Sequence, residues 1–322
     1  MIETRDLVKQ YDDFEAVKGI TFSVEEGELL ALLGPNGAGK TSTIRMVSSI
    51  LAPTTGQVLV NGYDTVENPD KVRRSIGMIT EQPGLYERMT GMEYLLFYGR
   101  LYGMPNQQIK ERGAELYRRF GMEEAVDRRL GGFSKGMKQK AGLIRAMLHN
   151  PPVLLLDEPT SAMDPHSARQ VRASIQELRQ DKRAIILTTH NLNEAEKLAD
   201  RIAIINDGKI VAKGTADELR KQLSGDRLME VTADRPIRFP LEKLSTAFPE
   251  MIFDMVDETQ IRFRSNNPVE HNPNLIRYLG GMGVGIVMLQ EITPSLEEIY
   301  LSIVKQEDTE LDGQGSKENE IV

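Results

Sequence analysis

The sequence predicts an α/β domain built around a glycine-rich loop and carrying a helical insertion, followed by a small α+β domain. Three observations predict this. An apolar, strand-like run at residues 29–33 leads straight into a glycine-rich loop and then into a helical stretch at 41–50. A second apolar run, 153–156, stops at two adjacent acids, Asp157 and Glu158. From about residue 226 the segments follow a β-α-β-β-α-β order, the pattern of a split βαβ unit.

Taken in order, residues 1 to about 60 read as short strands with one helix. The runs 20–24 and 29–33 are separated by Glu25-Glu26-Gly27-Glu28, a turn signal. Strands follow at 57–60 and 76–79. Between about 83 and 150 the pattern becomes helical, with Tyr94, Leu95, Tyr98 and Leu101 in one stripe and Leu116 and Phe120 in another, punctuated by Gly121, Gly131 and Gly132. The α/β alternation returns with strands at 153–156, 185–188 and 202–205, joined by helical stretches. The register shifts near Ser224-Gly225-Asp226. Strands are then expected at 229–232, 252–255, 261–264 and 285–289, and helices at 241–248, 273–279 and 295–303. Residues 306–322 read as a disordered acidic tail.

Composition narrows the function classes. The chain has 322 residues, of which 40% are hydrophobic and 27% charged, enough for real cores and a soluble surface. No run approaches the 18 or more apolar residues of a membrane helix, and the start, Met-Ile-Glu-Thr-Arg-Asp, lacks the pattern of a secretory signal. The absence of cysteine excludes disulfides, thiolate zinc sites and a cysteine nucleophile, and fits a reducing cytoplasm. Residues 307–322 hold six acids and one lysine, so they carry −5 of the net −8. The body is nearly balanced, without the basic bias of a nucleic-acid-binding protein.

Gly34-Pro35-Asn36-Gly37-Ala38-Gly39-Lys40-Thr41, followed by Ser42, fits the phosphate-loop pattern G-x-x-x-x-G-K-[ST]. Its glycines let backbone N–H groups turn inward at the positive end of a helix, which is an anion nest. Lys40 would reach β- and γ-phosphates and Thr41 would ligate Mg²⁺. A chance match in a turn is the competing reading, and the placement between strand and helix weighs against it. Kinases, GTPases and ATPases all remain open at this point. Asp157 and Glu158 end a buried strand at the edge where α/β sheets bind ligands, and successive side chains point differently. Asp157 suits a water-mediated place around Mg²⁺, and Glu158 suits a general base acting on the attacking water. Solvated acids capping a strand would look the same in isolation.

Further segments narrow the choice. Phe133-Ser134-Lys135-Gly136-Met137 precedes a helical run and resembles the Leu-Ser-Gly-Gly-Gln signature of ABC ATPases. Gln82 follows the 76–79 strand as the Q-loop glutamine does, Ser161-Ala162-Met163-Asp164 resembles the D-loop, and His190 follows the 185–188 strand as the switch histidine does. Tyr11, ahead of Phe14, matches the aromatic that stacks on adenine. Each of these is weak alone; their common order over residues 1 to about 222 carries the resemblance. The resemblance implies a P-loop NTPase fold of the ABC nucleotide-binding type. It implies that Ser134, Lys135, Gly136 and Met137 address ATP bound to the opposite subunit, that Gln82 meets metal or water, that His190 orients the catalytic water, and that Asp164 connects two active sites. Lys135 and Met137 depart from the usual Gly and Gln. Variants ending in Met resemble the exporter subfamily of daunorubicin-resistance, sodium-efflux and haem-exporter ATPases. The stretch Ile292-Thr293-Pro294-Ser295-Leu296-Glu297-Glu298-Ile299-Tyr300 resembles the ending of the daunorubicin-resistance type, although Ser295 and Glu298 also read as a helix capping box.

These readings predict an ATPase domain at 1–222, with the helical insertion at about 83–150, and an accessory domain at 226–305. They imply a Mg²⁺-dependent ATPase at the cytoplasmic face of the cell membrane, acting as a homodimer beside a separate integral-membrane permease, without nucleic acid. Two rivals stay open: a soluble ABC ATPase working on DNA or ribosomes, and a regulatory subunit that senses ATP without hydrolysing it.

Overall fold

A computed structural model describes residues 1–224, 227–292 and 300. It divides into two compact units, one covering Met1–Ala216 and the other beginning at Asp217. Apart from Tyr300, which is helical, the expected helix at 295–303 with its capping pair, and the acidic tail, lie outside the described residues.

In the first unit, β1 (Ile2–Tyr11), β2 (Phe14–Val24), β3 (Leu29–Leu33), α1 (Lys40–Val47), β4 (Thr55–Val60), β5 (Tyr63–Asp64), α2 (Pro69–Ser75) and β6 (Ile76–Ile79) come first. The helical segment follows with α3 (Gly91–Leu101), α4 (Asn106–Arg119), two 3₁₀ turns and α5 (Lys135–Met147). Then come β7 (Val153–Asp157), α6 (Pro165–Arg179), β8 (Ala184–Thr189), α7 (Leu192–Leu198), β9 (Arg201–Asn206) and β10 (Lys209–Gly214). Two sheets form: β2-β1-β4-β5, whose pairs are antiparallel, and a six-stranded sheet ordered β10-β9-β3-β8-β7-β6. Within the latter, β9, β3, β8, β7 and β6 run parallel and β10 is an antiparallel edge.

The central strands are apolar up to their carboxyl ends because both of their faces are covered. Alternate residues go to opposite cores. Leu29, Leu154, Leu156, Ile185 and Leu187 join the helices α3 to α7, including Tyr94, Tyr117, Ile144 and Ile175. Leu30, Leu32, Val153, Leu155 and Ile186 join α1 and the antiparallel sheet through Ile44, Val47, Ile2, Phe22 and Val58. Register then brings the carboxyl ends of neighbouring strands to one edge. Leu33 pairs with Thr189, Asp157 with Thr188 and Ile79 with Leu156.

The second unit has α8 (Ala216–Ser224), β11 (Arg227–Ala233), α9 (Glu242–Ala247), β12 (Ile252–Asp257), β13 (Gln260–Ser265), α10 (Pro268–Gly281) and β14 (Ile286–Glu291). The order after α8 is β-α-β-β-α-β, with an antiparallel sheet β12-β13-β11-β14 packed through Val231, Phe263, Leu244 and Leu279.

Three expectations shift. β1 and β10 add strands beyond those expected: Glu3, Arg5, Asp6 and Lys9 interrupt the apolar pattern of β1, and Lys209 and Lys213 bound β10 to three consecutive apolar residues. Leu101, placed in the buried stripe of α3, is 66% exposed at the helix end, while Tyr94 and Leu95 are fully buried. α10 begins at Pro268 rather than 273, so Pro273 sits inside the helix instead of opening it. A proline fits the first turn, and Pro268 takes that place.

Candidate active site

β3 ends at Leu33 and the chain turns through Gly34 to Gly39 into α1. Gly39, the residue before the helix, has φ 98°, a left-handed conformation, and no side chain caps the helix start. A Cβ on Gly34 would lie 2.2 Å from the carbonyl oxygen of Ile205, and one on Gly39 2.4 Å from that of Ala16. Backbone crowding therefore excludes side chains at both positions. The first-turn N–H groups of α1 are left without intrahelical partners, as an anion site requires.

Lys40 is only 5% exposed. Its Nζ donates to the carbonyls of Gly34 at 2.7 Å and Pro35 at 3.0 Å, and lies 3.3 Å from Glu158 Oε1. That oxygen is buried and accepts no directed hydrogen bond, so the contact is an ion pair without hydrogen-bond geometry. Glu158 Oε2 lies 2.8 Å from His190 Nδ1. The Glu158 backbone is left-handed, with φ 49°. Such a conformation costs about 1 kcal/mol or more in a non-glycine residue and persists where its surroundings impose it. Here the Glu158 N–H is held by Thr188, through the hydroxyl at 3.0 Å and the carbonyl at 3.1 Å.

Asp157 Oδ1 accepts from the Thr188 hydroxyl at 2.6 Å and faces the Thr41 hydroxyl at 3.5 Å. Thr41 and Asp157 thus bring two hard oxygen donors together, a pair that suits Mg²⁺. Gln82 sits in the exposed loop after β6; its backbone carbonyl accepts from the Thr80 hydroxyl at 2.6 Å. Tyr11 is 39% exposed, with its hydroxyl 3.3 Å from Ser42 Oγ and Lys9 Nζ 5.3 Å from its ring centre. Tyr11, Lys40, Thr41, Ser42, Asp157, Glu158 and His190 are thereby brought together by these contacts, at the edge where α/β sheets take ligands.

The Ser134 segment stands apart from this cluster. Ser134 is the N-cap of α5, its hydroxyl accepting from the Met137 N–H at 3.3 Å. Gly136 is buried so closely on α6 that a Cβ there would lie 3.2 Å from Ser167 Cβ. Met137 is partly buried against the helical core. Asp164 caps α6 by accepting from the N–H groups of His166 and Ser167, which hold its carboxyl below the usual pKa. Among the described residues, no hydrogen bond or ion pair joins the Ser134 segment to the phosphate loop.

Sequence reasoning missed the residues that brace this site. Thr188 is one. Glu194 is another: it is almost fully buried and accepts from the Thr160 hydroxyl at 2.6 Å and the Thr189 hydroxyl at 2.7 Å. Burial raises its carboxyl pKa, against the lowering effect of the two hydroxyls. It links the segment after Glu158 to the residue preceding His190. The available signal was the run Thr188-Thr189-His190 at a strand end, two hydroxyls where an apolar strand would otherwise finish.

The fold and this edge define a phosphate-loop NTPase domain of the nucleotide-binding cassette type. Comparison with known proteins agrees. The ABC transporter family model matches residues 17–161, and a model described as the C-terminal domain of DrrA1-3-like ATP-binding proteins matches 214–304. The ABC transporter ATP-binding protein NatA of Bacillus subtilis (strain 168) is 37% identical over 243 residues, covering 74% of this chain and 99% of NatA. The daunorubicin/doxorubicin resistance ATP-binding protein DrrA of Streptomyces peucetius is 40% identical over 246 residues, covering 76% of this chain and 74% of DrrA. A solved ATP-binding subunit of an ABC transporter superposes with a TM-score of 0.63 at 35% identity, over 69% of this chain and 92% of that one. A dimeric post-hydrolysis state of the cassette MJ0796, bound to ADP and Pi, shares the fold with a TM-score of 0.60 at 24% identity, over 67% and 98%. The chain belongs to the ATP-binding proteins of ABC transporters, with a DrrA-like C-terminal domain.

Proposed function

We propose that this chain hydrolyses ATP with Mg²⁺ as a homodimer, at the cytoplasmic face of a membrane, and so powers export through a separate integral-membrane permease. The observation that carries the proposal is the Lys40–Glu158–His190 chain of contacts beside Thr41 and Asp157, with the Ser134 segment unattached to it. A site divided this way is completed by a second copy. The MJ0796 cassette, of like fold, was solved as a dimer with ADP and Pi. The names of NatA and DrrA support the transport setting, and DrrA's name supports a role in drug resistance. No helix among the described residues is long and apolar enough to cross a membrane.

In this reading the phosphate-loop N–H groups and Lys40 hold the β- and γ-phosphates, and Lys40 trades its loop carbonyls for phosphate oxygens. Tyr11 offers its ring to the adenine. Thr41, Asp157 and Gln82 are the residues that would hold Mg²⁺. When bound, the ion would neutralise phosphate charge as it develops. Glu158 takes a proton from the attacking water, and His190, bonded to Glu158, orients that water. The segment Ser134, Lys135, Gly136 and Met137 of the second copy closes over the γ-phosphate through Ser134 and its backbone, the Lys135 side chain staying on its own chain's Ser161 and Ala162, while Asp164 links the two sites.

The test is the Glu158→Gln protein. ATP turnover should fall by about 10² to 10⁴, the range for loss of a general base. With ATP and Mg²⁺ the variant should run as a stable dimer in size-exclusion chromatography, where the wild type returns to monomer after turnover. Unchanged turnover in this variant removes the proposal. The rival acting on DNA or ribosomes would instead show no integral-membrane protein co-purifying from detergent extracts.

A further inference from the structure

Lys135 occupies the place where the family signature has glycine, and its side chain is committed. Its Nζ donates to the carbonyls of Ser161 at 3.0 Å and Ala162 at 2.8 Å, two consecutive acceptors in the D-loop. Ala162 has φ 49°, a left-handed turn in a residue that is not glycine. Lys135 is also the first residue of α5. A cation at this positive helix end is disfavoured by a few tenths of a kcal/mol unless something compensates. The paired carbonyls compensate.

Other contacts tie the same pieces together. Gly136 is pressed against Ser167, and Asp164 caps α6 on the N–H groups of His166 and Ser167. The start of α5, the D-loop turn and the start of α6 therefore form one packed body, with Lys135 as its only polar crosslink from α5 to the D-loop among the described residues.

We propose that Lys135 is a positioning residue that clamps the D-loop turn onto the first turn of α5, so that Ser134 and Asp164 meet the second subunit as one rigid surface. This rests on the dimeric ATPase reading for its consequence, but not for the clamp itself. A glycine at this position has no side chain to make such a clamp. Chains of this kind would then engage their partner with less internal motion to suppress on closure.

The test separates clamp from consequence. In nucleotide-free full-length protein, hydrogen exchange should be about threefold or more faster in peptides covering residues 158–164 for Lys135→Met, and close to wild type for Lys135→Arg, which can still donate to both carbonyls. Equal exchange in wild type and Lys135→Met overturns the clamp; should Lys135→Met fold poorly, Lys135→Leu, which likewise has no donor, serves the same comparison. No nucleotide is involved, so this result stands or falls apart from the ATPase reading. In a Glu158→Gln background, Lys135→Met should then raise the ATP concentration at half dimerisation about threefold or more, with Lys135→Arg restoring it. Faster exchange with unaltered dimerisation overturns the positioning role. If Glu158→Gln does not dimerise with ATP even with Lys135 intact, the ATPase reading has failed instead.

Discussion

Two helices in this chain open on the same residue type and leave different groups unspent. α1 and α5 each open with a lysine, and each lysine turns back to grip two consecutive backbone carbonyls: Lys40 those of Gly34 and Pro35, Lys135 those of Ser161 and Ala162. The residues before them differ. Gly39 puts no side chain over the N–H groups of α1, whereas the Ser134 hydroxyl already satisfies one N–H of α5. Lys40 is buried beside a buried carboxylate oxygen, and Lys135 is exposed. The lesson is that a helix start makes a strong anion site only when its donors are unspent and its cation is desolvated. By that criterion α1 is complete within one chain. α5 needs something brought to it.

The largest break in the comparison comes at α1. Lys40→Ala should lower ATP turnover by about 10² to 10³, the cost of losing one electrostatic donor in a preorganised site, and should weaken nucleotide binding. It also leaves Glu158 Oε1 buried with no cation beside it. Stopped-flow binding of a fluorescent ATP analogue and steady-state phosphate release check both effects. Turnover within threefold of wild type would mean that the α1 cradle is not the hydrolytic site.

How much of this was readable beforehand follows the range of the interactions. The phosphate loop, the acids after Leu156 and the Ser134 segment ahead of a helical run are local: each is a few residues whose pattern is complete within a turn or two. The split βαβ order was readable as well, since its strands alternate in the ordinary way. β1 was not, because Glu3, Arg5, Asp6 and Lys9 interrupt its apolar pattern and its pairing shifts register after Thr4 and again before Val8. Nor was the bracing of the site. Thr188 meets Asp157 only because β7 and β8 run parallel in one register, and Glu194 meets Thr160 only after α7 folds back. Lys135 could be seen as a departure from the signature, but its carbonyl partners lie 26 and 27 residues away. No periodicity reports such contacts.

A middle-sized effect sharpens the contrast from the far end of α5. His149 follows that helix, stacks on Tyr102 with ring centres 3.9 Å apart, and has Nε2 3.1 Å from the Ile76 carbonyl. Burial lowers its pKa to about 4 from an ordinary 6.5. The unfolded chain therefore binds a proton that the folded chain refuses between those values. The stability held above pH 6.5 is lost as pH falls toward 4. At about 1.36 kcal/mol per pH unit, the loss between pH 7.5 and 5 is about 2 kcal/mol. His149→Phe keeps a ring against Tyr102 and has no proton to bind. Its stability in urea should be lower at pH 7.5, yet should decline less on acidification to pH 5, by about that amount. Parallel pH profiles for the two proteins would remove His149 as the titrating anchor of α5.

The smallest effect separates the two helix starts most cleanly, because at α5 the cap and the proposed phosphate contact fall on one hydroxyl. Ser134→Ala removes both. Loss of the cap should cost about 1 kcal/mol of stability, and loss of the phosphate contact should lower turnover by about tenfold. Ser134→Asp divides them. Aspartate caps a helix as well as serine does, so stability should return to about the wild-type level, while its charge would face a phosphate and should depress turnover further. The expected order is therefore wild type and Asp together for thermal stability, but wild type, Ala, then Asp for ATP hydrolysis. If turnover instead follows stability, with Asp restoring both, Ser134 is only a cap, and the difference between the two helix starts is structural rather than functional.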